Sequence, residues 1–335
     1  MRKMIPITFS VLLATCCWFS PTTVVAQPVA SRAATAAAYV ERGSEWLRKD
    51  EWKRAIADFE LAIASDPTFP DGYNGRGIAR WRLKDYEQAA ADFTRAITLN
   101  PRFAEAYVNR SKARYWMGQL DEAIDDGSRS IELAPKSATA WYARGLARNS
   151  AARRKEDFEL AVKDFDRSIK LNSRDAETFT CRGMSRLNLG DIDGAITDQT
   201  RAIKLKPDFF LAWSERGEAR KRKGDFDGAL SDYNRAIELA PDHAQTWADR
   251  AAVWQQKADF ERAETDLNHA IELNPELADA WMQRGLVRLM RGRTDKAQQD
   301  FARCLTLNKN LGRLLERLID ETKHHVASRN IERGK

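Results

Sequence analysis

The chain has 335 residues, 43% of them apolar and 31% charged, with a formal net charge of +6. Basic and acidic residues are interspersed rather than blocked, which suits a soluble surface and argues against nucleic acid as a partner. Glycine and proline are sparse and regularly placed, so the composition reads as all-helical.

Residues 1–26 are a different kind of sequence from the rest. Arg2 and Lys3 form a basic head, an apolar stretch runs from Met4 to Phe19, and Val24, Val25 and Ala26 precede a cut ahead of Gln27. That is the three-part layout of a secretory signal peptide, too short for a membrane span. A retained anchor is the rival reading; a lipid anchor at Cys16 fits poorly because Thr15 precedes it. No other apolar run reaches spanning length, so the mature chain is expected to have no membrane span and to be exported, periplasmic or extracellular, from a bacterial cell. Residues 27–35 read as a linker. Cleavage removes Cys16 and Cys17 and leaves Cys181 and Cys304, three repeats apart, too far to bridge and expected to be small core fillers.

From there a 34-residue period governs the chain, marked by Pro67, Pro101, Pro135, Pro207, Pro241 and Pro275. The interval from Pro135 to Pro207 is two periods plus four residues, with Ser173 where a proline is missing. Alignment on this beat divides residues 36–311 into eight units: 36–69, 70–103, 104–137, 138–175, 176–209, 210–243, 244–277 and 278–311. Place 4 of every unit is aromatic (Tyr39, Tyr73, Tyr107, Trp141, Phe179, Trp213, Trp247, Trp281). Place 8 is small (Gly43, Gly77, Ser111, Gly145, Gly183, Gly217, Ala251, Gly285), and place 20 is alanine throughout, from Ala55 to Ala297. Place 24 is mostly aromatic, as at Phe59, Phe93, Phe165, Tyr233 and Phe301.

Places 4, 8 and 11 share one face of a first helix, and places 20, 24 and 27 share one face of a second. Small residues at 8 and 20 let two backbones approach, while the aromatics fill the space beside them. Proline ends the second helix, because it lacks a backbone donor and pushes its predecessor out of helical geometry. One such unit cannot bury its apolar faces alone; stacked neighbours can.

The pattern resembles the tetratricopeptide repeat family, whose Trp, Gly, Ala, aromatic and Pro signature is met by Trp213, Gly217, Ala229, Tyr233 and Pro241 and by their equivalents. The resemblance implies an all-α fold, an α-solenoid (right-handed superhelix) of eight helical hairpins with an inner groove. Residues 312–335 then read as a capping helix and polar tail, with Leu311, Leu314, Leu315, Leu318 and Ile319 as one more apolar stripe.

Two departures stand out. Place 7 is arginine in all eight units, from Arg42 to Arg284, and place 23 is aspartate in all eight, from Asp58 to Asp300. Both flank the packing face, so an Arg–Asp ladder between the helices of each hairpin is expected, in preference to an anion-binding arginine row. The third unit is expected to be weak, since Gly127 and Ser130 replace an aromatic and an alanine on its second helix. The four extra residues fall within 149–157 and predict a longer hairpin tip, with Arg153, Arg154 and Lys155 as a basic knob.

In the resembled family, ligand peptides lie against first-helix places 2, 5, 9, 12 and 13. Carried over to the second and third units, these are Asn74, Ile78, Trp81, Arg82, Val108, Lys112, Tyr115 and Trp116. Aromatics with basic residues among them suit a peptide bearing acidic and apolar side chains. No paired acid, activated nucleophile, metal spacing or phosphate loop is evident, so neither catalysis nor a cofactor is expected. The reading is a non-enzymatic scaffold or adaptor that binds an extended peptide or helix of another protein. The alternative is a cell-envelope glycan- or peptidoglycan-binding accessory, with groove aromatics as stacking platforms.

Overall fold

The structure, a computed structural model, describes residues 29–333, with side chains from 31 to 324; the expected signal segment lies outside the described residues. Those residues form seventeen α-helices, one short 3-10 turn and no strand. They pair as hairpins: α1 (Val29–Arg48) with α2 (Trp52–Ser65), α3 (Pro70–Arg82) with α4 (Tyr86–Leu99), and α5 (Ala104–Trp116) with α6 (Leu120–Leu133). Next come α7 (Ala138–Ala151) with α8 (Lys155–Leu171), α9 (Ala176–Asn188) with α10 (Ile192–Leu205), and α11 (Phe210–Lys223) with α12 (Phe226–Leu239). The last two are α13 (Ala244–Gln256) with α14 (Phe260–Leu273), and α15 (Ala278–Met290) with α16 (Thr294–Leu307), before α17 (Gly312–Arg333). The expected linker at 27–35 is helical from Val29 onward, because the alanine-rich run that follows has the highest helix propensity.

Each first helix packs against its own partner, against the preceding hairpin and also against the first helix of the next unit; no second helix packs comparably on the next second helix. The stack therefore curves, with the first helices on the inner side and the second helices fanned outward. α17 closes the end, Leu315 burying itself against Met282, Leu289 and Phe301.

The tight hairpin geometry follows from places 8, 20 and 24. Every alanine at place 20 is at most 1% exposed. A Cβ added at Gly43, Gly77, Gly145 or Gly217 would come within 2.6–3.1 Å of the place-24 ring facing it. In two units the places change together: where the ring is lost, at Gly127 and Leu267, the glycine partner becomes Ser111 and Ala251. In the fifth unit Gln199 replaces the ring and Gly183 is kept, since the amide comes as close as a ring would, 2.6 Å from an added Cβ.

The Arg–Asp ladder is present in all eight units. Each place-23 aspartate is at most 5% exposed, and each accepts two bonds of 2.6–3.1 Å from Nε and Nη2 of its place-7 arginine. The guanidinium also lies over the place-4 ring, 4.7–5.8 Å from its centroid. Its remaining nitrogen turns back to the preceding hairpin, reaching Thr94, Ser128, Asp166, Thr200, Asn234 and Asn268 in the third to eighth units. A second arginine, at place 11, completes the carboxylate's shell in six units, and Trp46 does so in the first. The place-7 row is thus internally neutralised, and no anion site is formed by it.

The third unit is not under-filled. A Cβ on Gly127 would meet Cβ of Arg144 at 2.8 Å and its Cα at 3.1 Å, so the glycine marks where α7 presses on α6. Ser130 is fully buried, and its Oγ donates to the Ala104 carbonyl at 2.9 Å. The four extra residues lengthen α8 and its approach. There Oδ2 of Asp157 accepts from the backbone N–H groups of Arg153 and Arg154, leaving both arginine side chains and Lys155 exposed.

Two stability measurements test this description. Asp232→Ala strands Arg216 and Arg220 without their shared carboxylate; thermal or urea unfolding is expected to show a loss of about 3–5 kcal/mol, and an unchanged midpoint would refute the ladder. Gly127→Ala is expected to destabilise by about 1–3 kcal/mol through overpacking against Arg144, despite the better helix propensity of alanine.

Candidate functional site

The first helices supply the inner face, so places 2, 5, 9, 12 and 13 project there from unit to unit. In the second and third units the sequence-selected residues are distributed among three adjoining hollows. Ile78, Trp81, Arg82 and Lys112, with Asn109 and Phe93, line a cleft of about 120 Å³. Val108 and Lys112 belong to a wider hollow of about 510 Å³ that also includes Glu105, Ser137 and Thr139. Tyr115 and Trp116 face a third, described below. Asn74 lines none of them: it is 6% exposed, and its Oδ1 accepts from Nδ2 of Asn109 at 3.0 Å. It is a structural post between α3 and α5 rather than a contact surface. Val108 is also buried and packs with Ile131 and Trp141, so it forms floor rather than wall.

Arg82 is pre-positioned between two indoles, 5.5 Å from the Trp52 centroid and 5.5 Å from that of Trp81. Lys112 is half-buried and forms no ion pair or hydrogen bond. Burial, joined by the nearby Arg82 charge, lowers its pKa, while Glu177 and Asp175 pull it back up. Trp81 Nε1 is buried without a hydrogen-bond partner in the same cleft. Unspent donors and a desolvated cation make this cleft suited to an anionic side chain.

The third hollow, about 250 Å³, was outside the sequence-based selection because it continues into the fourth, fifth and sixth units. Tyr115, Trp116, Tyr142 and Phe209 supply rings, and Leu146 and Met184 an aliphatic wall. Trp116 is 57% exposed, stacks on Tyr86 at 5.9 Å and stands edge-on to Tyr115 at 5.4 Å. The signal was available: Tyr142, Leu146 and Met184 occupy the same places 5 and 9 used for the earlier units.

Further along, the inner face turns acidic. Burial, then the charges of Asp249 and Glu218, push Glu215 up to about 7. Burial also lifts Asp249 to about 6, although Nε2 of Gln245 donates to its Oδ1 at 2.8 Å. Burial opposes ionisation of Glu218 too, but Lys221 and Arg222 bind it and bring its pKa below the ordinary value.

The remaining reactive groups are occupied or quiet. Burial raises the Cys181 thiol to about 12 and also raises that of Cys304, as suits packing residues. His243 pairs with Thr246 at 2.8 Å, and His269 stands edge-on to Trp247. Among the described residues no three His, Cys, Asp or Glu side chains gather as a metal site, and no helix is long and apolar enough to cross a membrane.

Comparison with known proteins agrees with this geometry. Residues 70–103, 182–244, 219–280 and 267–299 match models of the tetratricopeptide repeat. No curated protein is similar enough to the sequence to match it. Among solved structures, a chain of the APC/C hetero-tetramer Cut9–Hcn1 aligns over 81% of this chain and 52% of its own length, with 17% identity and a TM-score of 0.67. This chain thus spans about half of that relative. A tetratricopeptide repeat protein from Parabacteroides merdae aligns over 76% of this chain and 99% of its own (17% identity, TM-score 0.58). PilF of Pseudomonas aeruginosa aligns over 63% and 94% (16% identity, TM-score 0.55). These likenesses establish the fold, an all-α solenoid of tetratricopeptide repeats.

The acidic stretch yields a pH prediction. The folded values of Glu215 and Asp249 exceed ordinary carboxylate values, so the folded chain holds protons that the unfolded chain has lost. Their contribution to stability is present below about pH 4 and disappears as pH rises through about 6–7. Glu215→Gln with Asp249→Asn is expected to raise unfolding stability by roughly 1–3 kcal/mol at about pH 8, with the gain vanishing near pH 4.

Proposed function

We propose that this stack of tetratricopeptide repeats is an exported, non-enzymatic scaffold whose inner face holds an extended segment or helix of a partner protein. The tetratricopeptide fold is one of protein–protein interaction, and the signal-like layout of residues 1–26 supports export. One observation carries the reading: Trp81, Arg82, Lys112, Tyr115 and Trp116 converge on adjoining hollows of the second to sixth units. Their polar groups are incompletely satisfied there, and Trp116 is left open to solvent.

Such a surface offers what protein interfaces use most, aromatic anchors and basic groups held rigid before binding. Arg82 is already fixed between two rings, so little side-chain freedom is lost on binding. An acidic side chain of the bound segment meets Arg82 and Lys112, and an apolar neighbour meets Ile78 and the Trp81 ring in the same cleft. Peripheral charge steers and selects; the buried rings hold.

The test compares wild type with Trp81→Ala plus Trp116→Ala in cross-linking capture from cell-envelope extract, with circular dichroism confirming that both are folded. Loss of at least roughly 90% of a partner captured by wild type is the expected outcome, as for anchors worth over 1 kcal/mol each. Equal capture by both proteins would place binding elsewhere.

A further inference from the structure

We propose that the 250 Å³ cavity between the third and sixth units receives a basic side chain, arginine or lysine, from the bound segment. The inference rests on the scaffold reading and adds the partner's chemistry at one point. Three features of the cavity carry it.

Its shape comes first. By liquid volume it holds roughly eight waters, room for one long side chain and not for a folded element. Leu146, Met184 and Leu211 offer an aliphatic wall, against which the methylene stem of a long basic residue packs well.

Its rings come second. Tyr115, Trp116, Tyr142 and Phe209 all line the cavity, and the negative face of an aromatic ring attracts a desolvated cation. This chain already uses that contact repeatedly, with each place-7 guanidinium set over a ring.

Charge comes third. No lysine or arginine lines the cavity, whereas Glu177 does; its carboxylate is exposed and forms no salt bridge, and a basic influence on it comes from Lys112 of the adjoining cleft, whose pKa it raises. The local potential is negative: after burial, Glu177 and Asp175 are among the causes that raise both the Tyr142 phenol and the Cys181 thiol. Thr180, 1% exposed, also belongs to the lining, and its hydroxyl has no hydrogen-bond partner. A neutral apolar occupant would bury Glu177 and leave that hydroxyl unsatisfied. A guanidinium or ammonium supplies both the charge and the donors. Beside the cavity, the Lys112–Arg82 cleft has the opposite sign, so the groove reads a segment in which an acidic and a basic residue stand in fixed order.

The experiment uses the full chain with methyl-labelled methionine, following the Met184 resonance during titration with capped alanine pentapeptides whose central residue is arginine, lysine, leucine or glutamate. The arginine and lysine peptides are expected to shift Met184 at concentrations roughly tenfold lower than the others, and Glu177→Gln to abolish that preference. A leucine peptide binding as well as arginine, or a preference unaffected by Glu177→Gln, overturns the assignment while leaving the groove a peptide site. Absence of any shift while the partner is still captured through Trp81 and Trp116 also overturns it and spares the scaffold. Failure of that capture is what removes the scaffold.

Discussion

The bidentate pair between the place-7 guanidinium and the place-23 carboxylate is the contact on which this architecture turns. Burying a carboxylate at 5% exposure or less is unfavourable unless its acceptor sites are filled, and here three donors fill them in most units. The same arginine lies on the place-4 ring of its own helix and reaches back to a polar side chain of the preceding hairpin. One side chain thus fixes the crossing of two helices and the seating of one unit on the next. The rings are themselves tied: Trp141, Trp213, Trp247 and Trp281 each donate Nε1 to the carbonyl of the proline six residues earlier.

Around that contact an exchange at one place is compensated locally. Gly43, Gly77 and Gly145 have no room for a methyl group because a ring faces each of them, and at Gly217 the Tyr233 ring would have to give slightly. When Gly127 removes the ring in the third unit, Ser111 appears opposite it and donates to the Ala123 carbonyl at 2.7 Å. The space freed by the ring is taken by α7, which approaches Gly127 with its backbone at Arg144. Where Pro135's successor in the rhythm is absent, at Ser173, the place-4 residue is Phe179, which has no donor to offer. These are local substitutions with local compensations, as a quasi-one-dimensional stack allows.

Much of this was legible in the sequence. The 34-residue period specified the hairpins, and the invariant Arg42-to-Arg284 and Asp58-to-Asp300 rows specified the ladder, because two buried opposite charges at constant spacing have few other places to go. Gly127 was misread, since propensity describes a helix alone and says nothing of the neighbouring backbone that occupies the vacated space. The start of the first helix was also missed: a short segment before a repeat looks like a linker, but its alanines propagate helix backward to Val29. At the candidate site the selected residues lie on the first helices, and the place-5 pattern alone does not reveal that Asn109 occupies Asn74. The central cavity was missed because it is assembled from four units at once, and no single repeat carries its outline.

The fan of the outer helices has a mechanical consequence. First helices touch their counterparts, whereas second helices are held together chiefly through the hairpin they sit on, so bending is resisted along one side and comparatively free along the other. A small tilt at each joint adds up over the seven joints between eight hairpins, and the mouth of the hollow can widen or tighten without breaking any one rung. The molecule behaves as a leaf spring, able to fit guests of unequal girth while each of its leaves stays rigid.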